Sequence, residues 1–309
     1  MELVEHTQSA SKVTSISRKF SSSPLHASEL CSAATQVSTS ENESNRKYEN
    51  CELLKTNEVL RGRYKVESKL ARGGCSQIYR GYDLVKCKPV AVKVATSRID
   101  PRRMKIEQIV LTILRGKNHF VSLIGMGQIR GAPYLIMELV GHNLSDIRRR
   151  LPGRHFQPIT VYRISMQVMS ALHDLHSFGF LHRDIKPSNL CIGRGINRRM
   201  IYLVDYGMAR MFMEIDGRAR SPRKHVGFRG TPHYVSLAVH SRRETGPCDD
   251  LIGWFYSMVF AVELINGKLP WSNFKSIKDI EISKKKEGLE SLCKNHPKTS
   301  LEFVKLSEI

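Results

Sequence analysis

The sequence predicts an α+β protein of two unequal lobes, a small β-rich one followed by a larger helical one. Three observations carry that reading. Apolar residues alternate with period two in segments between Tyr64 and Leu139. Helical spacing takes over from Thr160. After the first long helical stretch lie two polar strings, His182-Arg183-Asp184-Ile185-Lys186-Pro187-Ser188-Asn189 and Asp205-Tyr206-Gly207, in a chain whose ligand cleft is expected between the lobes.

The 309 residues are 41% hydrophobic and 25% charged, enough for one large core with extensions. The formal charge of +20 is uneven: residues 1–60 hold six Lys/Arg against eight Asp/Glu, so the basicity belongs to residues 61–309. The first sixty residues also hold twelve serines and five threonines with no sustained apolar period. Such a segment cannot offset chain entropy by burial, so residues 1–55 are expected to be a disordered Ser/Thr-rich extension. The folded domain is then expected at 56–309, with lobes at 61–140 and 141–309. Seven cysteines without a C-x-x-C pair argue against a disulfide framework or zinc module, and for a reducing compartment. The start of the chain lacks the basic and apolar runs of a secretory signal.

Along the chain, Tyr64-Lys65-Val66 and Ser76-Gln77-Ile78-Tyr79 are expected as strands flanking the turn Arg72-Gly73-Gly74. Val90 to Val94 is a third strand that puts Ala91 and Lys93 on one face. Pro101 to Leu114 has helical spacing, with Glu107, Leu111 and Leu114 on a stripe. Tyr134 to Leu139 is a buried strand leading into the lobe crossover at Val140-Gly141-His142-Asn143. Thr160 to Phe178 is a helix whose C-terminal cap falls at Gly179. Leu190–Ile192 and Ile201–Val204 are short strands around Arg194-Gly195. Leu251 to Ile265 contains Glu263 and is too short for a bilayer, so it is read as a core helix capped by Asp249 or Asp250.

Two acids and an amide stand where phosphoryl transfer from a metal–nucleotide complex needs them. Asp184 would take the proton of an attacking hydroxyl, and Asn189 and Asp205 would hold divalent ions bridging the phosphates. Lys93 lies on a strand whose other face is Val90, Val92 and Val94, and a buried lysine needs an anion. Glu107 and nucleotide phosphates would supply it. In the loop Leu70 to Tyr79, Gly73 lets the backbone come closest to phosphates, while Ala71 and Ser76 stand where a G-x-G-x-x-G pattern has glycine. Lys186, two residues after the base, would neutralise the transferring group and favours Ser/Thr acceptors. Asp250 is a candidate acceptor for backbone N–H groups of the catalytic loop. Between Asp205 and Thr231, Arg210, Arg218, Arg220, Arg223, Lys224 and Arg229 face only Glu214 and Asp216, a surplus that would select acidic or phosphorylated substrates. Arg148-Arg149-Arg150 and Lys284-Lys285-Lys286 are read as helix-surface charge.

These strings, with Gly227-Phe228-Arg229-Gly230-Thr231-Pro232-His233-Tyr234-Val235-Ser236, Asp249-Asp250-Leu251 and Leu269-Pro270-Trp271, make residues 61–309 resemble the casein kinase 1 superfamily of protein kinases. The likeness is strongest to its tau-tubulin kinase-like branch. It implies a bilobal protein-kinase fold and a serine/threonine kinase using ATP and Mg²⁺. Leu70, Gly73, Gly74, Ile78 and Ala91 would line the nucleotide site with Lys93 and Glu107. Met137 would be the gatekeeper, backbone groups of Glu138 and Val140 would hold the adenine, and Thr231 would pack beside Asp184 and Lys186. The superfamily commonly has a phosphate-recognising arginine where this chain has His233, and Tyr206 replaces a usual phenylalanine. Relatives continue with helices beyond the position of Ile309, so the helical lobe is expected to be truncated.

The implied partners are acidic or phosphorylated proteins, cytoskeletal ones among them, met by a monomer in cytoplasm or nucleus, with no specific nucleic acid and no membrane. The alternative is a kinase-shaped scaffold, or pseudokinase, impaired by its glycine loop or by a truncated helical lobe. Against it, Lys93, Glu107, Asp184, Asn189 and Asp205 are all present. Lys93→Met is expected to abolish turnover and leave the fold intact.

Overall fold

The computed structural model describes residues 52–73, 76–96, 100–214, 216–257 and 268–292. The N-terminal lobe is a six-stranded antiparallel sheet ordered β1-β2-β3-β4-β6-β5. Its strands are β1 (Val59–Leu60), β2 (Tyr64–Arg72), β3 (Ser76–Asp83), β4 (Lys88–Ala95), β5 (Leu123–Ile129) and β6 (Ala132–Glu138), with helix α1 (Arg102–Ile113) between β4 and β5. The helical lobe holds α2 (Leu144–Arg150), α3 (Pro158–Ser177), α4 (Leu237–His240), α5 (Pro247–Ser257) and α6 (Ile277–Ser291, broken at Gly288). Short strands β7 (Phe180–Leu181), β8 (Leu190–Ile192), β9 (Ile201–Leu203) and β10 (Arg210–Met211) form two two-stranded ribbons, β7–β10 and β8–β9.

Alternation in the central strands divides the apolar residues between two cores. Val90, Val92 and Val94 of β4 join Tyr134 and Ile136 of β6 in a cluster on the outer face of the sheet. Ala95, Leu135 and Met137 point the other way, into a core that runs through α1 to α3 and α5. Lys93 shares this inner face, as period two requires. The outer cluster is completed by Leu54, which is fully buried, while the Leu53 N–H donates to Gln77 Oε1 at 3.0 Å. The folded part therefore begins before residue 56, because the outer sheet face needs an apolar cover. The expectation for residues 1–51 lies outside the described residues, as do Gly74 and the part of the expected Leu251–Ile265 helix after Ser257.

In the helical lobe, α3 buries Val161, Ile164, Val168, Ala171, Leu172 and Leu175 along one face. Gly179 follows its end with φ of +77°, the left-handed conformation that closes a helix. One expectation about surface charge fails. Lys285 is exposed and pairs with Glu281 at 2.7 Å, but Lys284 is only 2% exposed. Its ammonium donates to the carbonyls of Pro232 (2.8 Å) and Val235 (2.6 Å) and lies over the rings of Tyr256 and Trp271. Burial pulls its pKa down to about 6. Three lysines in sequence cannot share one helix face, and this one turns inward.

Candidate active site

Lys93 is the meeting point of three elements. From β4 its Nζ reaches Glu107 Oε2 on α1 at 2.6 Å and Asp205 Oδ1 at 2.7 Å. Lys93 is 5% and Glu107 2% exposed, so this is a desolvated pair rather than a surface ion pair. Burial works against the Lys93 charge, but Asp205 and Glu107 together outweigh it and keep the ammonium protonated. Lys93 pulls the Asp205 carboxyl down to about 2, whereas burial pushes that of Glu107 upward. An ammonium has three donors, so two acids leave one for another anion.

Asp205 has φ of +69°, unusual for a residue with a Cβ, and Tyr206 beside it anchors the turn. The Tyr206 ring is fully buried, stacks on Phe120 at 6.1 Å and meets His182 edge-on at 5.2 Å. Its hydroxyl donates to the Leu203 carbonyl at 2.7 Å. The aromatic expected there is a plug with a polar tether.

The loop after β7 is held from below by Asp250 in the first turn of α5. Its buried carboxylate accepts the backbone N–H groups of His182 and Arg183, each at 2.7 Å, and His176 Nε2 at 3.0 Å. Burial opposes this charge, yet His176 and the His182 N–H hold it below the usual carboxylate range. His176, on α3, is thus part of the support. The Asp184 N–H lies 3.2 Å from His182 Nδ1, and His182 Nε2 lies 3.1 Å from the Val204 carbonyl. The donor N–H of Asp184 makes Nδ1 the acceptor, which leaves Nε2 to carry the proton toward Val204.

Four predicted residues converge above that support. Asp184 Oδ1 accepts from the Thr231 hydroxyl at 2.7 Å, and Oδ2 faces Lys186 Nζ at 2.8 Å. Lys186 also donates to Thr231 Oγ1 at 2.8 Å, closing a three-membered network. The Asn189 amide donates to the Asp184 carbonyl at 2.9 Å and to its carboxylate at 3.3 Å, which leaves the Asn189 oxygen as an acceptor. Asp205, with one oxygen on Lys93, keeps a side chain that is 48% exposed. No group of three or more His, Cys, Asp or Glu side chains is arranged for a metal among the described residues. The donor set of Asp205 and Asn189 fits a hard, oxygen-seeking divalent ion that draws its other ligands from phosphate and water.

The remaining predicted positions line the inner face or edge of the sheet. Ala91 and Met137 are buried and sit directly opposite each other in the β4–β6 ladder. The Glu138 N–H donates to the Ser122 carbonyl at 2.9 Å, and Val140 packs against the inner core. Leu70 is half-exposed, Ile78 intermediate, and the Gly73 N–H closes the turn on the Ser76 carbonyl at 2.9 Å.

The basic run after Asp205 is better neutralised than the sequence suggests. Arg218 pairs with Asp216 and Arg220 with Glu214, but Arg223 and Arg210 both face Glu244, which the sequence reading missed. No spacing signal links residues so far apart. The segment is also pinned at Gly230, whose φ is +105° and whose missing Cβ would lie 2.6 Å from both the Arg183 carbonyl oxygen and Val235 Cγ1. Gly230→Ala is expected to cost at least about 1–3 kcal/mol and to reduce turnover, because it displaces Thr231. Thermal unfolding and peptide phosphorylation would check this against Gly227→Ala, where the nearest atom is the flexible end of Arg229 at 3.5 Å. Equal effects of the two substitutions would refute it.

A sheet lobe with a buried lysine–carboxylate pair, joined to a helical lobe that presents an acid, a lysine and an amide on a braced loop, defines an ATP-dependent phosphotransferase. Residues 64–308 match the protein kinase domain, and the chain belongs to the protein kinase family. Its relatives include a putative casein kinase I of Caenorhabditis elegans, 35% identical over 231 residues that cover 74% of this chain and 67% of the relative. A probable serine/threonine-protein kinase of Dictyostelium discoideum is 33% identical over 248 residues, 80% of this chain and 50% of that protein. Casein kinase I homolog 3 of Schizosaccharomyces pombe is 29% identical over 250 residues, 78% and 56% of the two chains. The chain thus spans between half and two-thirds of the length of these relatives.

Proposed function

We propose that this protein transfers the γ-phosphoryl group of ATP, bound with Mg²⁺, to serine or threonine hydroxyls of proteins. The observation that carries the reading is the convergence of Lys186 and Thr231 on the Asp184 carboxylate, beside the Lys93–Glu107–Asp205 cluster. Asp184 accepts the proton of the incoming hydroxyl, and Lys186 offsets charge at the acceptor. Lys93, oriented by Glu107, holds the α- and β-phosphates, and Asp205 and Asn189 hold the divalent ion. When bound, the nucleotide supplies the phosphoryl group and the ion neutralises its oxygens. The small inner-face residue Ala91, the gatekeeper Met137 and the backbone of Glu138 and Val140 form the adenine side of the site, with Leu70, Gly73 and Ile78 above it.

The substrate class we infer is acidic or phosphorylated protein, cytoskeletal proteins included, met by a monomer in cytoplasm or nucleus. The cleft beside Asp184 and Thr231 sets Arg183, Arg229 and Arg243 against Asp184, Asp249 and Asp250, so the support for an anionic substrate is the net basic charge of residues 61–309. Free thiols at Cys87, Cys191 and Cys248 are consistent with a reducing compartment. The tau-tubulin kinase-like branch is supported by the strings from Gly227 to Ser236 and from Leu269 to Trp271. His233 is partly buried, and burial first, then Lys284, lowers its pKa, so it is neutral at physiological pH. His233→Arg is therefore expected to increase the preference for phosphorylated over unphosphorylated peptides; an unchanged ratio would remove position 233 from recognition.

The deciding experiment is transfer from labelled ATP to acidic serine and tyrosine peptides, with Mg²⁺ present or chelated, beside Asp184→Asn. Serine-selective, Mg²⁺-dependent transfer well above the Asp184→Asn level is expected. Transfer no greater than that of the variant would replace the enzymatic reading by that of a kinase-shaped scaffold.

A further inference from the structure

Glu244 lies in the loop before α5, next in sequence to Arg243 and outside the residues proposed above to act on substrate. Its carboxylate receives three hydrogen bonds from one arginine: the Arg223 N–H at 3.1 Å, Nε at 2.8 Å and Nη2 at 2.9 Å. Arg210 Nε approaches its other side at 3.4 Å. The side chain of Glu244 is only 20% exposed, so this is a fork held partly out of water rather than a solvated surface pair. Arg223 and Arg210 belong to the segment that leads to Thr231, and both act electrostatically on Arg183, the neighbour of Asp184.

Arg183 cannot leave this cluster. Its Nε donates to the Met208 carbonyl at 2.7 Å, and its φ of +66° fixes its backbone in the left-handed region. Burial first, and then Arg223 and Arg210, lowers its pKa to about 10, a sign of how crowded the positive charge is. Arg223, in turn, pulls Glu244 down to about 2. A segment that brings two guanidinium groups against that of Arg183 in the catalytic loop is repelled by it unless an anion is supplied.

We propose that Glu244 is a positioning residue. Its carboxylate is the built-in counter-ion that holds the Arg210–Arg223 segment against Arg183 and so keeps Thr231 in register with Asp184. The chain of contact is continuous: Glu244 fixes Arg223, the segment then passes Gly230 packed on the Arg183 carbonyl, and Thr231 comes next. An ordinary surface ion pair would contribute little and would leave activity untouched.

The activity arm of the test rests on the phosphotransfer reading; a second arm does not. Glu244→Gln keeps the shape and removes the charge, and Glu244→Ala removes both. Either is expected to raise the peptide KM about tenfold or more, with the KM for ATP unchanged, because Glu244 bonds to Arg223 and Arg210 and to no member of the lysine cluster. Added sulfate, compared with sodium chloride at equal ionic strength, is expected to restore most of the loss in Glu244→Ala and to leave the parent protein unchanged. The exchange Arg223→Glu with Glu244→Arg is expected to restore less than sulfate does, because the backbone N–H of residue 223 loses its acceptor and Arg210 then faces a second guanidinium. Independently of turnover, trypsin is expected to cut between Arg218 and Arg229 about tenfold faster in both single variants, with circular dichroism unchanged. Peptide KM and trypsin rates within twofold of the parent, or losses that sulfate does not relieve, would overturn the assignment. If the parent itself transfers no phosphate, the functional reading fails and the trypsin rates alone decide the role of Glu244.

Discussion

Asp184→Asn is expected to lower kcat by about two to four orders of magnitude, the range that a positioned general base contributes. The geometry makes this substitution a clean one. Three donors now converge on the carboxylate: the Thr231 hydroxyl, Lys186 Nζ and the Asn189 amide. An asparagine can keep its oxygen toward Lys186 and Asn189 and turn its nitrogen toward Thr231, whose hydroxyl serves equally as acceptor. Stability should therefore change by no more than about 1 kcal/mol. Nucleotide binding should be unchanged, since the hydrogen bonds of Lys93 run to Glu107 and Asp205 and those of Asp184 to Thr231, Lys186 and Asn189. Steady-state phosphorylation, nucleotide titration and thermal unfolding on the same preparation would test all three statements. A variant with near-parental kcat would mean that Asp184 does not take the proton, and would break the proposed mechanism at its centre.

A physical division separates the features legible in the sequence from those it hid. Periodicity reports which face a side chain lies on, so Val90, Val92 and Val94 could be separated from Ala91 and Lys93 before any coordinates. The stripe of Glu107, Leu111 and Leu114 is likewise buried as one face of α1. Strand β5 escaped notice because Gly125 and Gly127 interrupt its alternation. Gly127 is required there, since a Cβ would lie 2.5 Å from the Tyr134 hydroxyl oxygen, and Tyr134 is a buried member of the outer core. The glycine that hides the strand is a consequence of cross-strand packing. Long-range charge pairing was illegible for a different reason. Glu244 and Arg223, or Lys284 and the Pro232 carbonyl, are brought together only by the way α5 and α6 dock, and no local spacing encodes that. Asp250 fell between the two cases: its role as acceptor for N–H groups of the catalytic loop was readable, and the fold added His176 as its third partner.

Lys93→Met is the substitution for which sequence and structure lead to different expectations. From sequence, the loss is of phosphate binding alone. In the folded protein, Lys93 is also the cation beside Glu107, which is almost wholly enclosed. Removing one partner of such a pair costs about 3–5 kcal/mol because the other charge is left buried without compensation. For a domain of this size that corresponds to a fall in Tm of roughly 10 °C. Turnover should vanish, but the lost stability should depend on pH in a way that identifies its cause. Without Lys93, the folded-state pKa of Glu107, already raised by burial, rises further above its ordinary 4.5. A group whose folded pKa is raised adds stability that is complete below its unfolded pKa and is lost as pH climbs toward the folded value. The variant should therefore approach the parent near pH 4 and fall away from it toward neutrality. Adding Glu107→Leu should recover most of the stability at pH 7 and none of the activity. If the deficit is the same at pH 4 and pH 7, or if the double substitution recovers nothing, the buried ion pair is not what Lys93 contributes to the fold, and its role reduces to holding phosphate.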